Sequence, residues 1–245
     1  MNRFEGKTVL VTGGNSGIGL VTAQAYAAEG ARVVITGRDE ASLETVRATL
    51  GANAVAIRNV AGTVAAAREL AQKLTDSNIR LDAVFINAGI AKLAPFADMS
   101  ESVWDETFDI NVKGPYFQIQ ALLPLLNQGA SIVLNGSINA HIGMPTSSVY
   151  AASKAALITF AKTLSAELLP RGVRVNVVSP GPVTTPLHVK LGMPDEAAAQ
   201  LQAQIPLGRF GTSAEVASTV LHLSAAESAF IVGTEIIIDG GMSQL

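Results

Sequence analysis

The chain has 245 residues, with 17 lysines and arginines against 20 aspartates and glutamates, a net charge of -3, three histidines and no cysteine. At roughly 150 residues per domain, this length allows one large α/β domain or two small ones. The lack of cysteine excludes disulfides, thiolate metal sites and a cysteine nucleophile, and the scattered histidines predict no metal site. A mildly acidic chain without a basic run favours a small-molecule substrate over nucleic acid.

Hydropathy and charge also bear on location and assembly. No apolar stretch approaches the ~18 residues that span a membrane, and the first residues lack the apolar segment of a signal peptide, so we expect a cytoplasmic protein with no membrane contact. Charged residues make up only 15% of the chain, against about 25% in an average domain. This shortage predicts that part of the surface is covered in an oligomer.

Short β-branched runs alternate with amphipathic stretches along the whole chain. This order predicts one doubly wound, Rossmann-like α/β domain over residues 1–245, with about seven parallel strands and helices on both faces. The predicted strands are 8–12, 32–36, 54–58, 83–87, 131–135, 174–178 and 235–238, and the predicted helices are 17–29, 40–50, 64–77, 101–126, 148–169 and 213–224.

Two features interrupt this alternation. Pro115 has no N–H for the carbonyl of Asn111, which predicts a kink in the long fourth helix. Residues 186–211 form a long insertion after the sixth strand, with a helical piece between Pro194 and Pro206. We expect this insertion to be a substrate lid; the alternative is a structural flap or interface element.

A glycine-rich turn follows the first strand, with the sequence TGGNSGIG from Thr12 to Gly19. Glycines there allow a tight turn that brings backbone N–H groups and a helix N-terminus against a pyrophosphate. The spacing is GxxxGxG, which on its own is weak evidence for dinucleotide binding.

Further motifs follow this turn in a fixed order, and the ordered set resembles the short-chain dehydrogenase/reductase family over nearly the whole chain. The set comprises TGGNSGIG, Asn87-Ala88-Gly89, Asn111, Ser137, Tyr150-x-x-x-Lys154, Pro180-Gly181 and the terminal Asp239-Gly240-Gly241. The resemblance implies an oxidoreductase with a nicotinamide cofactor.

The resemblance also assigns a catalytic tetrad of Asn111, Ser137, Tyr150 and Lys154. Tyr150 and Lys154 are four residues apart, so they project from one face of a helix. The ammonium and the positive helix end both favour the phenolate, which predicts a lowered pKa for Tyr150. Ser137 would donate a hydrogen bond to the substrate oxygen. By resemblance, Tyr150 is the proton donor in reduction and Lys154 also binds the nicotinamide ribose.

The end of the second strand predicts which nicotinamide cofactor binds. Gly37 stands where a relative that prefers NAD carries an acid, and Arg38 follows at once. A guanidinium can hold a 2′-phosphate that a carboxylate would repel. We therefore expect NADP(H) to be preferred over NAD(H); the alternative is that Arg38 is a solvated cation and Asp39 contacts the ribose.

The expected cofactor contacts extend along the chain from the glycine-rich turn to the loop after the sixth strand. They are Gly13, Asn15, Ser16, Gly17, Ile18, Gly19, Arg38, Asn59, Val60, Asn87, Ala88, Gly89, Tyr150, Lys154, Pro180, Gly181, Val183 and Thr185.

The expected substrate pocket is mainly apolar and has no arginine placed to bind a carboxylate. This predicts a neutral ketone, aldehyde or secondary alcohol, handled by an NADP(H)-dependent alcohol dehydrogenase or carbonyl reductase. The pocket residues are Ile138, Asn139, Met144, Ser147, Pro182, Leu187 and Leu191.

Three other functions stay open. Reduction of 3-oxoacyl groups on an acidic carrier protein needs a basic patch; 125–131 has none, although Arg171 and Arg174 are available. A dinucleotide-sensing binding protein would not need the complete tetrad. An epimerase or dehydratase would recycle its cofactor without net consumption.

Small alanines and large apolar residues share the helix predicted over 148–169. Its apolar face is wider than one sheet requires. With the long helix that holds Trp104 and Phe117, it would form an intersubunit four-helix bundle, as the resemblance implies. We expect a homotetramer, with a dimer as the alternative.

Overall fold

The structure, a computed structural model, describes residues 2–185 and 194–245. The strands are β1 Thr8–Val11, β2 Arg32–Gly37, β3 Val55–Arg58, β4 Leu81–Ile86, β5 Leu126–Asn135, β6 Arg174–Pro180, β7 Val183–Thr184, β8 Gly211–Thr212 and β9 Glu235–Ile238. The α-helices are α1 Gly17–Ala28, α2 Glu40–Thr49, α3 Val64–Asp76, α4 Glu101–Phe108, α5 Gly114–Leu122, α6 Ser148–Leu168, α7 Asp195–Ala203 and α8 Ser213–Ser224.

Seven strands form one parallel sheet in the order β3-β2-β1-β4-β5-β6-β9. The chain moves outward from β1 to β3, then returns and continues from β4 to β9. The order reverses between β1 and β4, and in doubly wound sheets ligands bind outside the carboxyl ends of the strands at this point. The predicted α/β fold is confirmed.

Both faces of the sheet are covered by helices, which explains the nearly continuous apolar runs of the central strands. On one face Leu10 and Val34 pack in a core with side chains of α3, α5 and α6. On the other face Val9 and Ile35 pack with side chains of α1, α2 and α8. These two cores hold the carboxyl ends of β1, β2 and β4 in place, where the site described below is built.

The long helix predicted over 101–126 is wrong in its continuity and its end. After α4 a π-helical segment, Asp109–Lys113, precedes α5, and the N–H of Gly114 bonds to the carbonyl of Asp109, five residues back. A Cβ on Gly114 would lie 2.9 Å from the backbone nitrogen of Gly62, so the helix passes very close to the loop after β3. An interruption is present near Asn111, where a kink was predicted, and it has the form of this π segment; β5 already begins at Leu126.

A short parallel pair of strands, β7 with β8, brackets the insertion and was not predicted. The N–H of Gly211 also donates to the carbonyl of Pro182 at 2.9 Å. The helical piece predicted after Pro194 is present as α7. Residues 186–193, with the predicted pocket residues Leu187 and Leu191, lie outside the described residues.

Within the described ranges, no helix has both the length and the apolar character needed to cross a bilayer. In the same part of the chain, no three acidic or histidine side chains gather into a possible metal site.

Candidate active site

A cavity of about 400 Å³ opens at the carboxyl ends of β1, β2 and β4. Most of the predicted cofactor contacts line it, from the glycine-rich turn at one end to Tyr150 and Lys154 of α6 at the other. They are Gly13, Asn15, Ser16, Gly17, Ile18, Arg38, Asn59, Val60, Asn87, Ala88, Gly89, Tyr150, Lys154 and Thr185. The structure therefore brings residues from distant parts of the chain to one cleft.

Four predicted contacts, Gly19, Pro180, Gly181 and Val183, are not among the residues that line this cavity. Gly19 has a different task, because a Cβ there would lie 2.3 Å from the carbonyl oxygen of Gly13 and 2.5 Å from Nδ2 of Asn87. Its role in the described structure is to allow helix α1 to approach the turn closely.

The glycine-rich turn has the geometry of an anion cradle. Gly13 and Gly17 have φ angles of 64° and 53°, in the left-handed region that glycine adopts without strain. Ser16 is the N-cap of α1, but its side chain forms no capping hydrogen bond to the first turn. The N–H groups at the start of α1 thus carry the positive end of the helix dipole to the cavity, where a phosphate would be stabilised.

Thr12 supports this turn and was missed as a site residue. Its Oγ1 accepts the backbone N–H of Asn87 at 2.9 Å and that of Ala88 at 3.0 Å. The Nδ2 of Asn87 donates to the carbonyl of Thr12 at 2.9 Å. These bonds fasten the segment after β4 to the turn after β1. A threonine that ends an apolar strand just before two glycines was the available sequence clue.

Asn135 was also missed, and it links Lys154, which was predicted to be catalytic, to this network. The Nζ of Lys154 donates to the carbonyl oxygen of Asn135 at 2.7 Å. The Nδ2 of Asn135 donates to Oδ1 of Asn87 at 3.0 Å. The contact with Lys154 uses the backbone of Asn135, so its side-chain identity gave no indication of that role.

Asn111 lies in the π segment and is 1% exposed. Its Oδ1 accepts the N–H of Ile90 and its Nδ2 donates to the carbonyl of Ile90, both at 2.9 Å. The same Nδ2 donates to Oγ of Ser153 at 3.0 Å. The side chain therefore joins the segment that follows Asn87-Ala88-Gly89 to helix α6, and in the described structure Asn111 acts as a positioning residue.

Tyr150 and Lys154 lie in the first two turns of α6, on the same face. The Nζ of Lys154 is 5.7 Å from the centre of the Tyr150 ring. Burial raises the pKa of the Tyr150 phenol above 10, and the hydroxyl of Ser137 lowers it in part. This direction is opposite to our sequence prediction, because burial is the largest influence on the pKa of the phenol. Burial also lowers the pKa of Lys154 to about 8.

Ser137 caps a short 3-10 turn, Ile138–Ala140, and is 7% exposed. Its Oγ accepts the N–H of Asn139 at 3.2 Å. That bond uses an oxygen lone pair, so the hydroxyl hydrogen can still be donated. Because the same hydroxyl acts on the pKa of Tyr150, Ser137 and Tyr150 present two O–H groups to one position.

The adenosine end of the cavity lacks an acid at the position that would contact a ribose. Gly37 has no side chain, and a Cβ there would lie 2.7 Å from Oδ1 of Asn15. Asp39 caps helix α2, since its Oδ1 accepts the N–H of Ser42 at 2.7 Å. This capping role counts against the alternative in which Asp39 binds the ribose. Arg38 is exposed and lines the cavity.

Of the predicted substrate-pocket residues that the structure describes, none lines the cavity; four lie between β5 and α6, and Pro182 lies between β6 and β7. The four are Ile138, Asn139, Met144 and Ser147. Ile138 and Ser147 are 2% and 1% exposed, and Oγ of Ser147 donates to the carbonyl of Met144 at 2.7 Å. The Nδ2 of Asn139 approaches Sδ of Met144 at 3.5 Å. Pro182 is half-buried before β7. Their contact with a substrate stays a prediction.

A doubly wound sheet with a glycine-rich turn at the switch point, and a serine, tyrosine and lysine at the same cleft, defines the class of dinucleotide-dependent oxidoreductases. A family model described as enoyl-(acyl carrier protein) reductase matches residues 13–243. The chain is 35% identical over 247 residues to oxidoreductase asL5 of Sarocladium schorii, covering 100% of this chain and 99% of that one.

Two further similarities agree. The chain is 36% identical over 246 residues to a 3-oxoacyl-(acyl-carrier-protein) reductase FabG of Thermotoga maritima, covering 98% and 99% of the two chains. A short-chain dehydrogenase from Burkholderia cenocepacia J2315, solved in complex with NADP, aligns with a TM-score of 0.91 at 34% identity and covers 98% and 99%. The chain belongs to the short-chain dehydrogenase/reductase family of oxidoreductases.

Proposed function

We propose that the protein transfers a hydride between NADP(H) and a small, mainly apolar ketone, aldehyde or secondary alcohol. The observation that carries this proposal is the placement of Tyr150 and Lys154 in the same cavity as the glycine-rich turn. A phosphate-binding cradle and a proton donor thus border one cleft of about 400 Å³.

The residues present fit NADP(H). The uncapped first turn of α1 suits the pyrophosphate, and the cavity continues past Arg38 to Asn59 and Val60, where the adenine would lie. Gly37 has no carboxylate that would repel a 2′-phosphate, and Asn15 lies where a side chain at this position would begin. A guanidinium at Arg38 supports the preference for NADP(H) over NAD(H).

When bound, the cofactor supplies or accepts a hydride at C4 of the nicotinamide ring. Ser137 donates a hydrogen bond to the substrate oxygen and stabilises the negative charge that develops there. Tyr150 gives its phenolic proton to that oxygen, and its raised pKa means that the phenol is protonated at neutral pH. Lys154, fixed by the carbonyl of Asn135, keeps its donors near Tyr150 and the nicotinamide ribose.

The cavity wall supports a neutral substrate. Ile90, Ala91 and Ile110 contribute apolar surface. Glu106 is the one acidic side chain among the described lining residues, and it is paired with Lys92. Apart from Lys154, whose ammonium donates to the carbonyl of Asn135, Arg38 is the one cation among the described lining residues, and it lies beside Gly37 at the end of β2.

Reduction of a 3-oxoacyl group on a carrier protein is the second candidate, and the name of the Thermotoga maritima relative favours it. The sequence analysis took Arg171 and Arg174 as available to an acidic carrier protein, and for Arg174 the structure corrects this. Arg174 is 7% exposed and donates to the carbonyls of Leu223, Ile231 and Ala225, so it is not available to an acidic partner. Arg171 is exposed and bonds to the carbonyl of Leu123.

A panel of substrates separates these functions. Oxidation of NADPH and of NADH is followed by absorbance with ketones, aldehydes, 3-oxoacyl esters and a 3-oxoacyl carrier protein. Faster turnover of simple carbonyls with NADPH supports the proposal, whereas turnover confined to the carrier-bound substrate supports the second candidate. Tight NADPH binding without any turnover would indicate a sensor or a cofactor-recycling enzyme.

We also propose that the protein is a homotetramer built on helices α4, α5 and α6. Trp104 and Tyr116 are each 47% exposed, and Trp104 stacks on Phe108 with ring centres 4.7 Å apart. Aromatic side chains of this size on adjoining helices favour burial in an interface. Light scattering tests the proposal, because a mass of four chains is expected and a monomer would contradict it.

A further inference from the structure

A second guanidinium lies beside the end of the cavity that Arg38 lines. Arg58 is the last residue of β3 and pairs in register with Gly37 of β2. Its Nε donates to the carbonyl oxygen of Arg38 at 3.3 Å. We propose that Arg58 and Arg38 together bind the 2′-phosphate of NADP(H), and that Arg58 is a specificity-determining residue. This inference rests on the proposed function.

The register places Arg58 on the relevant face of the sheet. Residues paired in adjacent parallel strands project to the same face, so Arg58 and any side chain at position 37 would lie side by side. That face carries the glycine-rich turn, because a Cβ on Gly37 would meet Oδ1 of Asn15 at 2.7 Å. The next residue, Asn59, lines the cavity and bonds through its N–H to the carbonyl of Gly37 at 2.9 Å.

The charge around Arg58 also favours an anion. A phosphate monoester carries about -1.5 to -2 charges at neutral pH, which one guanidinium only partly balances. Glu69 is the carboxylate whose pKa Arg58 helps to lower, but Lys73 contributes more to that shift. The Nζ of Lys73 is 2.6 Å from Oε1 of Glu69. The charge of Glu69 is therefore matched by Lys73, and Arg58 remains available.

Arg38, like Arg58, is available to bind an anion. Across residues 2–185 and 194–245, neither Arg38 nor Arg58 forms a salt bridge with a carboxylate, and both side chains are exposed. Arg58 at the end of β3 and Arg38 just after β2 carry like charges, which repel each other when no anion lies between them. A bound 2′-phosphate would remove this repulsion, whereas the 2′-hydroxyl of NAD(H) would not.

Binding measurements without turnover test the inference. Dissociation constants for NADPH, NADH and 2′,5′-ADP are measured by calorimetry for the wild type, Arg58→Ala, Arg58→Lys and Arg38→Ala. Arg32→Ala is the matched control, because Arg32 is also exposed at a strand end and its Nε also donates to a backbone carbonyl, that of Asn53, at 3.3 Å. Arg32 lies at the opposite end of the sheet.

We expect Arg58→Ala to weaken NADPH and 2′,5′-ADP binding about tenfold or more, as loss of a charge-assisted hydrogen bond does, with NADH changed less than about twofold. Arg58→Lys should recover part of the loss, which also guards against a folding defect in the alanine variant. Unchanged NADPH binding in both variants, or equal weakening of NADPH and NADH, would overturn the inference while leaving the NADP(H) proposal intact. A wild type that binds NADPH no better than NADH would overturn both.

Discussion

Lys154 and Asn135 are joined by a hydrogen bond of 2.7 Å from the ammonium to the backbone carbonyl. Lys154 as a residue is 4% exposed, and this bond stabilises its ammonium in a cleft that otherwise disfavours charge. The Nδ2 of Asn135 donates a hydrogen bond to Oδ1 of Asn87, and the Nδ2 of Asn87 donates one to the carbonyl of Thr12. Lys154 and the glycine-rich turn are therefore joined by one set of polar contacts.

Stability should depend on pH through Lys154. Burial lowers its pKa to about 8 in the folded chain, from 10.5, so the unfolded chain binds more protons between these values. The free energy of unfolding of the wild type should therefore rise between pH 8 and 10.5, relative to Lys154→Met, by up to about 3 kcal/mol. Below pH 8 the difference should be constant.

Urea denaturation of both proteins from pH 6 to 10.5 measures this difference. The Lys154→Met variant retains every other titrating group, so it is the control for the wild type. Parallel stability curves over the whole range would show that burial does not shift the lysine as stated.

Removing the phenolic hydroxyl should abolish proton donation with little change in binding. Tyr150→Phe should lower kcat about 10²- to 10⁴-fold, the usual contribution of a positioned acid or base. The Kd for NADPH should change less than about threefold. Tyr116→Phe is the matched control, since Tyr116 is on α5 with its side chain 47% exposed. Equal activity of the two variants would exclude Tyr150 as the proton donor.

Asn111 should matter for stability as well as activity, because its amide satisfies both backbone groups of Ile90. Asn111→Leu would leave a buried N–H and a buried carbonyl unpaired, at a cost of about 2 to 4 kcal/mol. Asn111→Asp keeps the acceptor for the N–H but loses the donor, so an intermediate loss is expected. Thermal unfolding with and without NADPH measures both effects, and a leucine variant as stable as the wild type would refute the positioning role.

An acid at position 37 should reverse the cofactor preference. Gly37→Asp would place a carboxylate beside the 2′-phosphate of NADPH, while the flexible end of Asn15 moves aside. We expect NADPH to bind at least about tenfold more weakly and NADH to bind as well or better. Gly37→Ala separates crowding from charge, and a Kd for NADPH that rises equally in both variants would argue for a steric effect alone.

Much of the fold could be predicted because its central strands are buried on both faces and its helices are amphipathic. The predicted bounds of β9 and α8 agree with the structure. The strands β7 and β8 are two residues each, too short for any periodicity. For the π segment, the sequence predicted an interruption near Pro115 but not its form. Gly114 lies close to Gly62 at this place, and these two residues are far apart in the sequence.

The site was predictable where side-chain identity carries the chemistry, as for Tyr150 and Lys154. The site was not predictable where its chemistry depends on a backbone group or on burial. The carbonyl of Asn135 has no sequence signature, and the raised pKa of Tyr150 depends on how deeply the cleft encloses the phenol. Arg174 was expected at the surface but is buried among carbonyls, because its strand lies inside the sheet.

Hydride transfer itself gives the most direct test of the central claim. The wild type and Tyr150→Phe are incubated with NADPH that carries deuterium at both C4 positions and with the best carbonyl substrate of the panel, and the alcohol is analysed by mass spectrometry. The account predicts one deuterium on the carbinol carbon with the wild type and almost no labelled product with the variant. Bound NADPH with no deuterium in any product would contradict it.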